Sequence, residues 1–377
     1  MVILSLSFIT IILAIVYIAL VLYMRKGWFE IPTVISNCLP VKRISIIIAA
    51  RNEENGIART IDAVLNQKFP PEQFELIVID DHSTDRTSDV VLSYAHRGVQ
   101  LIQLNESNKL NSYKKLAIAK AIDLCTGEII VTTDADCRMG ENWLMSIISY
   151  FETQDLYLLS SPVVYSEEKS FFERLQTLEF LYLIGLGAAG IGNKNPTTCN
   201  GANLAYRKDI FYEMGGFAGI DELASGDDEL FLHKVAAKYP HKIGFCKSTD
   251  AVVYTDAKPT IGSFISQRKR WASKSTKYKN KAIVLLGITI WLFNFCMLTC
   301  LIVGLFYHYS YLFTFLVVLI AKIIVEYLFI QPLTQFSKRE ELMRYLPILS
   351  SLHIIYLVYI GILGNIGKYD WKGRQVK

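Results

Sequence analysis

Long apolar stretches divide the chain into membrane-spanning and water-facing parts. Val2 to Met24 contains no charged residue and is long enough to cross about 30 Å of hydrocarbon as a helix. Two further stretches, from about Ala282 to Phe306 and from about Tyr311 to Ile330, have the same character, and a fourth covers about Leu346 to Leu363. The pattern predicts one N-terminal and two to three C-terminal transmembrane helices.

These stretches suggest a division into domains. No basic segment precedes the first stretch and no clear cleavage site follows it, so we expect residues 1–25 to be a retained signal anchor. Residues 40–275 are polar enough to form a water-facing domain, because their charges could not be satisfied in lipid. Residues 282–365 are expected to form a C-terminal transmembrane region, and residues 366–377 a basic tail.

Two apolar stretches carry charged residues in their interior. Lys322 and Glu326 lie four apart in the third stretch, where they could pair with each other or face neighbouring helices. The stretch from Phe171 to Gly192 is interrupted by Glu173, Arg174 and Glu179. We interpret it as an amphipathic helix that lies on the domain or at the bilayer interface.

Basic residues flank the water-facing domain and predict its side of the membrane. Arg25 and Lys26 follow the first span, and four lysines precede the second, so the domain is expected to face the cytoplasm. The tail is also basic, although a crossing fourth segment would place it outside. Either that segment is re-entrant or interfacial, or the charge rule fails here.

From Ile44 onward, apolar strands alternate with helical segments. The predicted strands read ISIIIAA, FELIVID, VQLIQL and EIIVTT; the predicted helices are IARTIDAVLNQ, about Thr84 to Ala95, and Ser112 to Cys125. This alternation is typical of an α/β fold with a mostly parallel, Rossmann-like sheet. Ligands of such sheets bind beyond the carboxyl ends of the strands.

Carboxylates follow three of these strands. Glu53 and Glu54 come after the first, Asp80 and Asp81 after the second, and the Asp-Ala-Asp segment 134–136 after the fourth. Several carboxylates on one rim repel one another unless a cation lies among them. Asp-x-Asp at the end of a buried strand suits Mg²⁺ or Mn²⁺, while one of the two adjacent aspartates 80 and 81 could instead cap the following helix.

Two later segments also carry candidate chemistry. Asp227 and Asp228 stand at the start of a helix, where one could cap the helix and the other could act as a general base. In QRKRW, residues 267–271, the basic residues could simply attract anionic lipid. A glutamine and a tryptophan around Arg270 instead suit a pyrophosphate contact beside a flat apolar face for a sugar.

Composition excludes some classes of protein. The seven cysteines occur singly, without the paired spacing of a zinc site, so we expect free thiols in a reducing compartment. The formal charge of +4 is modest and the basic residues cluster at the membrane edges. A nucleic-acid partner is therefore not expected.

Seven segments together resemble a known family: AARNEE, VIDDHSTD, SYKKLAIAKAI, TTDADC, CNGANLAYRKDIF, SGDDELF and QRKRW. In order and spacing they are similar to the family 2 inverting glycosyltransferases of GT-A fold. Within that family they look like the membrane branch that contains cellulose and hyaluronan synthases and ceramide glucosyltransferase. The resemblance covers about Ile44 to Trp271.

The resemblance implies roles for particular residues. Those expected to contact the donor nucleotide are Ala49, Glu53, Asp81 and Lys114. Asp134 and Asp136 would hold the donor diphosphate and a Mg²⁺ or Mn²⁺ ion, and Asp228 would be the catalytic base. Those expected to close over the diphosphate and the acceptor are Gln267, Arg270 and Trp271. The usual Glu-Asp pair reads Asp227-Asp228 here, which leaves the role of Asp227 open.

The resulting hypothesis is a multi-pass hexosyltransferase of the cell membrane. It would move a sugar from a nucleotide-sugar, such as a UDP-sugar, to a lipid or glycan acceptor, with inversion at the anomeric carbon. A processive polysaccharide synthase is an alternative, although the small number of C-terminal spans argues against a secretion channel. Two hypotheses outside this class are a non-catalytic membrane scaffold of the same fold and a GT-A-like nucleotidyltransferase.

Overall fold

The computed structural model describes residues 2–33, 41–105, 112–223, 225–274, 278–364, 369–371 and 374–376. The chain forms two compact units. The sheet unit consists of Trp28–Glu167, Leu186–Asp256 and Asp370–Lys377. The helical unit consists of Met1–Gly27, Glu168–Gly185 and Ala257–Tyr369.

The strands in chain order are β1 Ile44–Ala50, β2 Phe74–Asp80, β3 Gln100–Gln103, β4 Ile129–Asp134, β5 Arg138–Met139, β6 Leu158–Ser160, β7 Val163–Tyr165, β8 Leu204–Arg207, β9 Ile243–Phe245, β10 Val253–Thr255, β11 Tyr369–Trp371 and β12 Arg374–Val376. The helices are α1 Val2–Glu30, α2 Ile57–Leu65, α3 Thr87–Leu92, α4 Tyr113–Leu124, α5 Trp143–Thr153, α6 Phe171–Gly192, α7 Lys208–Glu213, α8 Glu229–Lys238, α9 Ile261–Ala272, α10 Lys281–Phe306, α11 Tyr309–Ser337 and α12 Leu346–Leu363.

A seven-stranded sheet in the order β3-β2-β1-β4-β8-β6-β9 forms the centre of the sheet unit. β1 pairs in parallel with β2 and β4, β2 pairs in parallel with β3, and β8 runs antiparallel to both of its neighbours. A smaller sheet has the order β5-β10-β7. The predicted α/β fold with a mostly parallel sheet is confirmed.

The buried strands follow from their sequences. β1 is a run of isoleucines whose side chains are covered on both faces, as expected for a central parallel strand. Helix α2 buries one stripe, Ile57, Ile61 and Val64, at the spacing of an amphipathic helix. α3 begins at Thr87 instead of the predicted Thr84, because the preceding residues bond to the loop after β1.

Five stretches of the described chain are long and apolar enough to cross a membrane: Leu6–Glu30, Phe171–Gly192, Lys281–Phe306, Tyr309–Ser337 and Glu340–Leu363. One is N-terminal and three are C-terminal, as predicted. The remaining stretch is α6. β4 precedes α6 in the chain, β8 follows it, and the two strands pair in one sheet. α6 therefore cannot separate the two sides of a membrane.

The prediction that α6 is amphipathic is wrong. Residues 175 to 181 are buried at every successive position, so more than one face of the helix is covered. Leu175 and Leu178 pack into a cluster with Ile330 and Leu346. Glu179, which suggested a polar face in the sequence, is also buried, because it pairs with a buried arginine described below.

Lys322 and Glu326 pair with each other and also face neighbouring helices. The Lys322 ammonium lies 2.7 Å from Glu326 Oε1 and also donates to the Ser350 carbonyl. The hydroxyls of Tyr17 and Ser350 donate to the same carboxylate. This buried network links α1, α11 and α12 within the helical unit.

Candidate active site

The carboxyl ends of β1, β2 and β4 lie at one edge of the main sheet. In the strand register, Ala49 on β1 stands beside Ile79 on β2 and Asp134 on β4. Because the three strands are parallel, the loops after them all leave from this edge. The carboxylate segments after β1 and β2 and the Asp-x-Asp segment after β4 thus lie at the same edge.

The loops after β1 and β2 are joined by hydrogen bonds between backbone amides and side chains. The Asn52 amide donates to Ser83 Oγ at 2.9 Å, and the Glu53 amide donates to Thr87 Oγ1 at 2.8 Å. The Asn52 side chain accepts in return from the Thr84 amide. Asn52 has a positive φ of 52°, a conformation that asparagine tolerates better than most residues. These bonds fix the position of Glu53 at the edge of the site.

The two adjacent aspartates after β2 have different partners. Asp80 Oδ1 accepts from the Ser83 amide at 3.0 Å, which makes Asp80 the residue that stabilises the turn. Asp81 is 2% exposed and its Oδ1 lies 3.0 Å from His82 Nδ1. Arg51 donates to the carbonyls of Asp81 and His82. Asp80 therefore has the structural role, and Asp81 is the candidate for a ligand contact.

The Asp-x-Asp turn is held from helix α2. The buried Thr60 hydroxyl lies 2.8 Å from the carbonyls of both Ala135 and Cys137. A Cβ on Gly56 would lie 3.6 Å from the Asp136 Cα, so the start of α2 lies close against this turn. Asp134 is half-buried and Asp136 is exposed. The turn thus presents two carboxylates from a rigid support.

Lys114 connects the Asp-x-Asp turn to the segment before α8. Its ammonium lies 2.9 Å from Asp134 Oδ1 and 3.4 Å from Asp227 Oδ2. Burial alone would lower the pKa of Lys114, but the carboxylates of Asp134, Asp227 and Asp228 outweigh burial and raise that pKa above its usual range. Lys114 is therefore a permanent cation within the carboxylate cluster.

Asp228 caps helix α8 and contacts a second backbone segment. Its Oδ1 accepts from the Glu229 amide at 2.7 Å, and its Oδ2 accepts from the Gly201 amide at 2.8 Å. The Gly201 carbonyl accepts in turn from the Thr132 hydroxyl on β4. These bonds fix the Asp228 carboxylate relative to the sheet edge.

Lys115 is a functional candidate that the sequence reasoning missed. It is 1% exposed, and its ammonium donates to the carbonyls of Leu223 at 2.5 Å and Ser225 at 2.9 Å. These carbonyls lie just before the Gly-Asp-Asp segment. A signal was available, because position 115 falls three residues before Ile118 and seven before Ile122, on the buried stripe of α4.

The QRKRW segment lies on α9 and belongs to the helical unit. Gln267, Arg270 and Trp271, which were selected from the sequence, are all half-buried. Within the described part of the chain, the Arg270 guanidinium has no carboxylate or hydrogen-bond partner. Arg268, which was not selected, is the buried residue of the segment and pairs with Glu179.

Comparison with known proteins identifies a domain within the chain. A family model described as Glycosyl transferase family 2 matches residues 45–215. This range contains β1 to β4, Lys114 and the Asp-x-Asp turn. The chain carries a family 2 glycosyltransferase domain.

Similar proteins match part of the chain over part of their own length. The β-monoglucosyldiacylglycerol synthase of Nostoc sp. is 32% identical over 111 residues, which are 29% of this chain and 24% of that protein. The probable glycosyltransferase YdaM of Bacillus subtilis is 25% identical over 249 residues, 64% of this chain and 57% of that protein. The chain thus spans less than two thirds of these relatives.

A solved structure covers more of the chain. The mannosyltransferase PcManGT from Pyrobaculum calidifontis, in complex with GDP-Man and Mn²⁺, superposes with a TM-score of 0.55 at 17% identity. The match covers 94% of this chain and 97% of that one. A likeness at this identity shows that the glycosyltransferase domain has the GT-A fold.

Proposed function

We propose that the chain is a membrane-bound inverting glycosyltransferase that moves a sugar from a nucleotide-sugar to a lipid acceptor. The observation that carries the proposal is the cluster at the sheet edge. Lys114 joins Asp134 after β4 to Asp227, and Asp228 stands next to Asp227 in a fixed orientation. Such a cluster places a cation and acidic side chains where a diphosphate could bind. It also contains a carboxylate that can accept a proton.

The donor nucleotide is proposed to lie along the loops after β1 and β2. The buried Asp81 carboxylate suits a nucleobase N–H donor, and Ala49 and Glu53 would line the same pocket. Lys114 would neutralise part of the diphosphate charge. On the family resemblance alone, Arg270 is proposed to contribute a second cation to the diphosphate.

Mg²⁺ or Mn²⁺ fits the donor atoms of the Asp-x-Asp turn. Among the described residues, no cluster of three or more His, Cys, Asp or Glu could hold a metal ion. Asp134 and Asp136 would therefore supply two carboxylates and leave positions for phosphate oxygens and water, an arrangement typical of Mg²⁺. When bound, the ion would neutralise charge on the departing diphosphate.

Asp228 is proposed as the catalytic base of a single displacement. Its carboxylate takes a proton from an acceptor hydroxyl, whose oxygen forms a bond to the anomeric carbon while the bond from that carbon to the diphosphate oxygen breaks. An α-linked donor then gives a β-linked product. The amides of Gly201 and Glu229 orient the carboxylate, since they donate to both oxygens.

A lipid acceptor is proposed because the domain is joined to long apolar helices. The relative from Nostoc is named as an enzyme that acts on a diacylglycerol lipid, which supports this choice. A processive synthase remains the alternative within enzymes and would release a polymer. A scaffold of the same fold would neither hydrolyse the donor nor transfer its sugar.

We propose that α1, α10 and α11 cross the membrane and that α12 does not. The first residue of α12, Leu346, packs near Ile330 towards the end of α11, and Gly364 after α12 lies against Ala272 before α10. α10 and α11 are joined by a short turn, so the start of α10 and the end of α11 lie on one side. The tail residues 370, 371 and 374–376 belong to the sheet unit.

This topology resolves the conflict in the charge pattern. With α12 interfacial, the basic tail and the basic edges of the domain lie on the same face, which the charge rule assigns to the cytoplasm. The proposed location is the cell membrane with the glycosyltransferase domain cytoplasmic.

Purified enzyme in lipid bilayers tests the activity. With a panel of nucleotide-sugars and a membrane lipid extract, we expect a lipid that carries one added sugar, detected by mass spectrometry. Chelation of divalent cations should abolish the product, and added Mg²⁺ or Mn²⁺ should restore it. A long water-soluble polysaccharide as the sole product would favour the processive synthase. A lack of both sugar transfer and donor hydrolysis would contradict the proposed enzymatic activity.

A further inference from the structure

Arg268 and Glu179 form a buried ion pair within the helical unit. Arg268 is 2% exposed and Glu179 is 4% exposed. Arg268 Nε donates to Glu179 Oε1 at 2.9 Å, and Nη2 donates to Oε2, so the pair is bidentate. The pair joins α9, which carries QRKRW, to the middle of α6.

The same guanidinium touches two residues of QRKRW that were assigned to the acceptor. Its Nη1 donates to Gln267 Oε1 at 2.5 Å, and its Cζ lies 4.3 Å from the centroid of the Trp271 ring. The Phe264 ring lies 4.5 Å away. The Trp271 ring also stacks against Phe180 of α6, with centroids 6.1 Å apart. Arg268 is therefore the common partner of Gln267 and Trp271.

Stability alone does not account for such a pair. Removing two charges from water is costly, and a buried ion pair replaced by apolar side chains of similar volume is often as stable or more stable. A planar guanidinium, however, fixes direction, because its donors lie in one plane and its faces stack on rings. The geometry of the pair matches an orienting role.

We infer that the Arg268–Glu179 pair positions Gln267 and Trp271 for the acceptor and that Arg268 is a positioning residue. The part of this inference that concerns the acceptor rests on the proposed function. The part that concerns the orientation of Gln267 and Trp271 by the ion pair does not. Without the guanidinium, the Gln267 amide loses its partner and the Trp271 ring loses the cation on its face. Acceptor use should therefore suffer more than donor use.

Two variants separate positioning from stability. The double variant Arg268→Met with Glu179→Leu replaces the pair by apolar side chains, and we expect it to fold with a melting temperature close to that of the wild type. Arg268→Lys keeps the charge opposite Glu179 but loses the second donor arm and the planar face. Lys269→Met, which removes a charge from the neighbouring position of α9, is the matched control.

Transfer kinetics in bilayers and hydrogen exchange are measured for all variants. We expect KM for the lipid acceptor to rise by about tenfold to a hundredfold in both Arg268 variants, with donor affinity unchanged, and no such rise in the control. Amides of residues 261–272 should exchange faster in both variants at equal global stability. If the double variant does not fold, Arg268→Lys carries the test alone.

The outcomes distinguish this inference from the proposed function. Wild-type transfer combined with a wild-type acceptor KM in a folded Arg268 variant overturns the inference and leaves the proposed function intact. A wild-type protein that transfers no sugar contradicts the proposed function. The exchange measurement then decides the inference, since unchanged protection of residues 261–272 overturns the positioning role and faster exchange supports it.

Discussion

The carboxylates around Lys114 differ in what they bind. Asp134 and Asp227 share the Lys114 ammonium, whereas Asp228 accepts from two backbone amides. Asp227, whose role the sequence left open, is thus a partner of the lysine that also contacts the Asp-x-Asp turn. Asp227 therefore balances the charge of Lys114, and Asp228 is left for proton transfer.

Asp228→Asn should reduce turnover by about a hundredfold or more while donor binding stays nearly intact, because the base is lost but the diphosphate contacts remain. One amide donor near the new side-chain NH₂ loses its acceptor, which should cost about 1–2 kcal/mol of unfolding free energy. Steady-state kinetics, donor titration and thermal unfolding measure the three quantities. Parallel losses of donor affinity and turnover would indicate that Asp228 only caps α8.

Asp136→Ala should abolish metal-dependent donor binding and transfer without unfolding the protein, because the Asp136 side chain is exposed and lies outside the core. Isothermal titration of the nucleotide with and without Mn²⁺ measures this. Glu72→Ala, at an exposed acidic position outside the site, is the control. Unchanged metal-dependent binding in Asp136→Ala would remove this residue from the metal site.

At the element scale, helix α4 supports the site with two adjacent lysines. Lys114 reaches the carboxylates, and Lys115, about 100° further round the helix, holds the carbonyls of Leu223 and Ser225. The two side chains together fix the segment that leads into α8. The start of one helix thereby sets the position of the proposed base on another.

Lys115→Met should lower the unfolding free energy by about 1–3 kcal/mol, because the buried contact to the Ser225 carbonyl and the partly buried one to the Leu223 carbonyl lose their donor. It should also lower turnover more than donor affinity, since the segment before Asp228 loses its anchor. Chemical denaturation and kinetics measure the two effects. Lys68→Met, which breaks an exposed ion pair with Glu141, should cost about 1 kcal/mol or less. Equal effects of the two variants would contradict the anchoring role.

Glu75 gives the sheet unit a pH-dependent contact. Its carboxylate accepts from the Ser45 hydroxyl and the Thr126 amide. Burial would raise the pKa of Glu75, but these hydrogen bonds and a further one from Gly127 outweigh burial and lower the pKa below its ordinary value of 4.5. The stabilisation is therefore complete above the unfolded-state pKa and is lost as the pH falls through the folded-state pKa.

Glu75→Gln should lower the unfolding free energy by about 1 kcal/mol near neutral pH, because solvent screens part of the interaction of this half-buried carboxylate. The difference from the wild type should shrink below about pH 4.5, where the wild-type carboxylate takes up a proton. Urea unfolding of both proteins between pH 3 and 7 measures the difference. A difference independent of pH would assign the effect to packing instead of charge.

At the scale of the whole molecule, the proposed topology has three crossings and an interfacial α12. In sealed inside-out vesicles, protease added outside should therefore cut both a tag fused to residue 377 and the sheet unit. A tag inserted at His308, in the turn between α10 and α11, should be protected. Protection of the C-terminal tag together with cleavage of the sheet unit would show that α12 crosses the membrane.

Sequence alone predicted β1 to β4, the long apolar stretches at both ends of the chain and the motif residues. Local periodicity and the residues at strand ends carry that information, because burial on a sheet face or in lipid requires apolar residues at a characteristic spacing. The acidic edge followed from a general property of parallel sheets. Lys115 and Arg268 were missed, since a lysine or arginine in a basic motif is ordinarily read as solvated.

Features that depend on contacts between distant segments follow from the folded chain and not from local sequence. That α6 does not cross a membrane follows from the pairing of β4 with β8, and its burial on successive positions follows from packing against α9, α11 and α12. The Asp227 contact to Lys114 and the Glu179 contact to Arg268 each join residues about ninety positions or more apart. Charged side chains are buried only where a partner meets them, and the meeting of partners is a property of the folded chain.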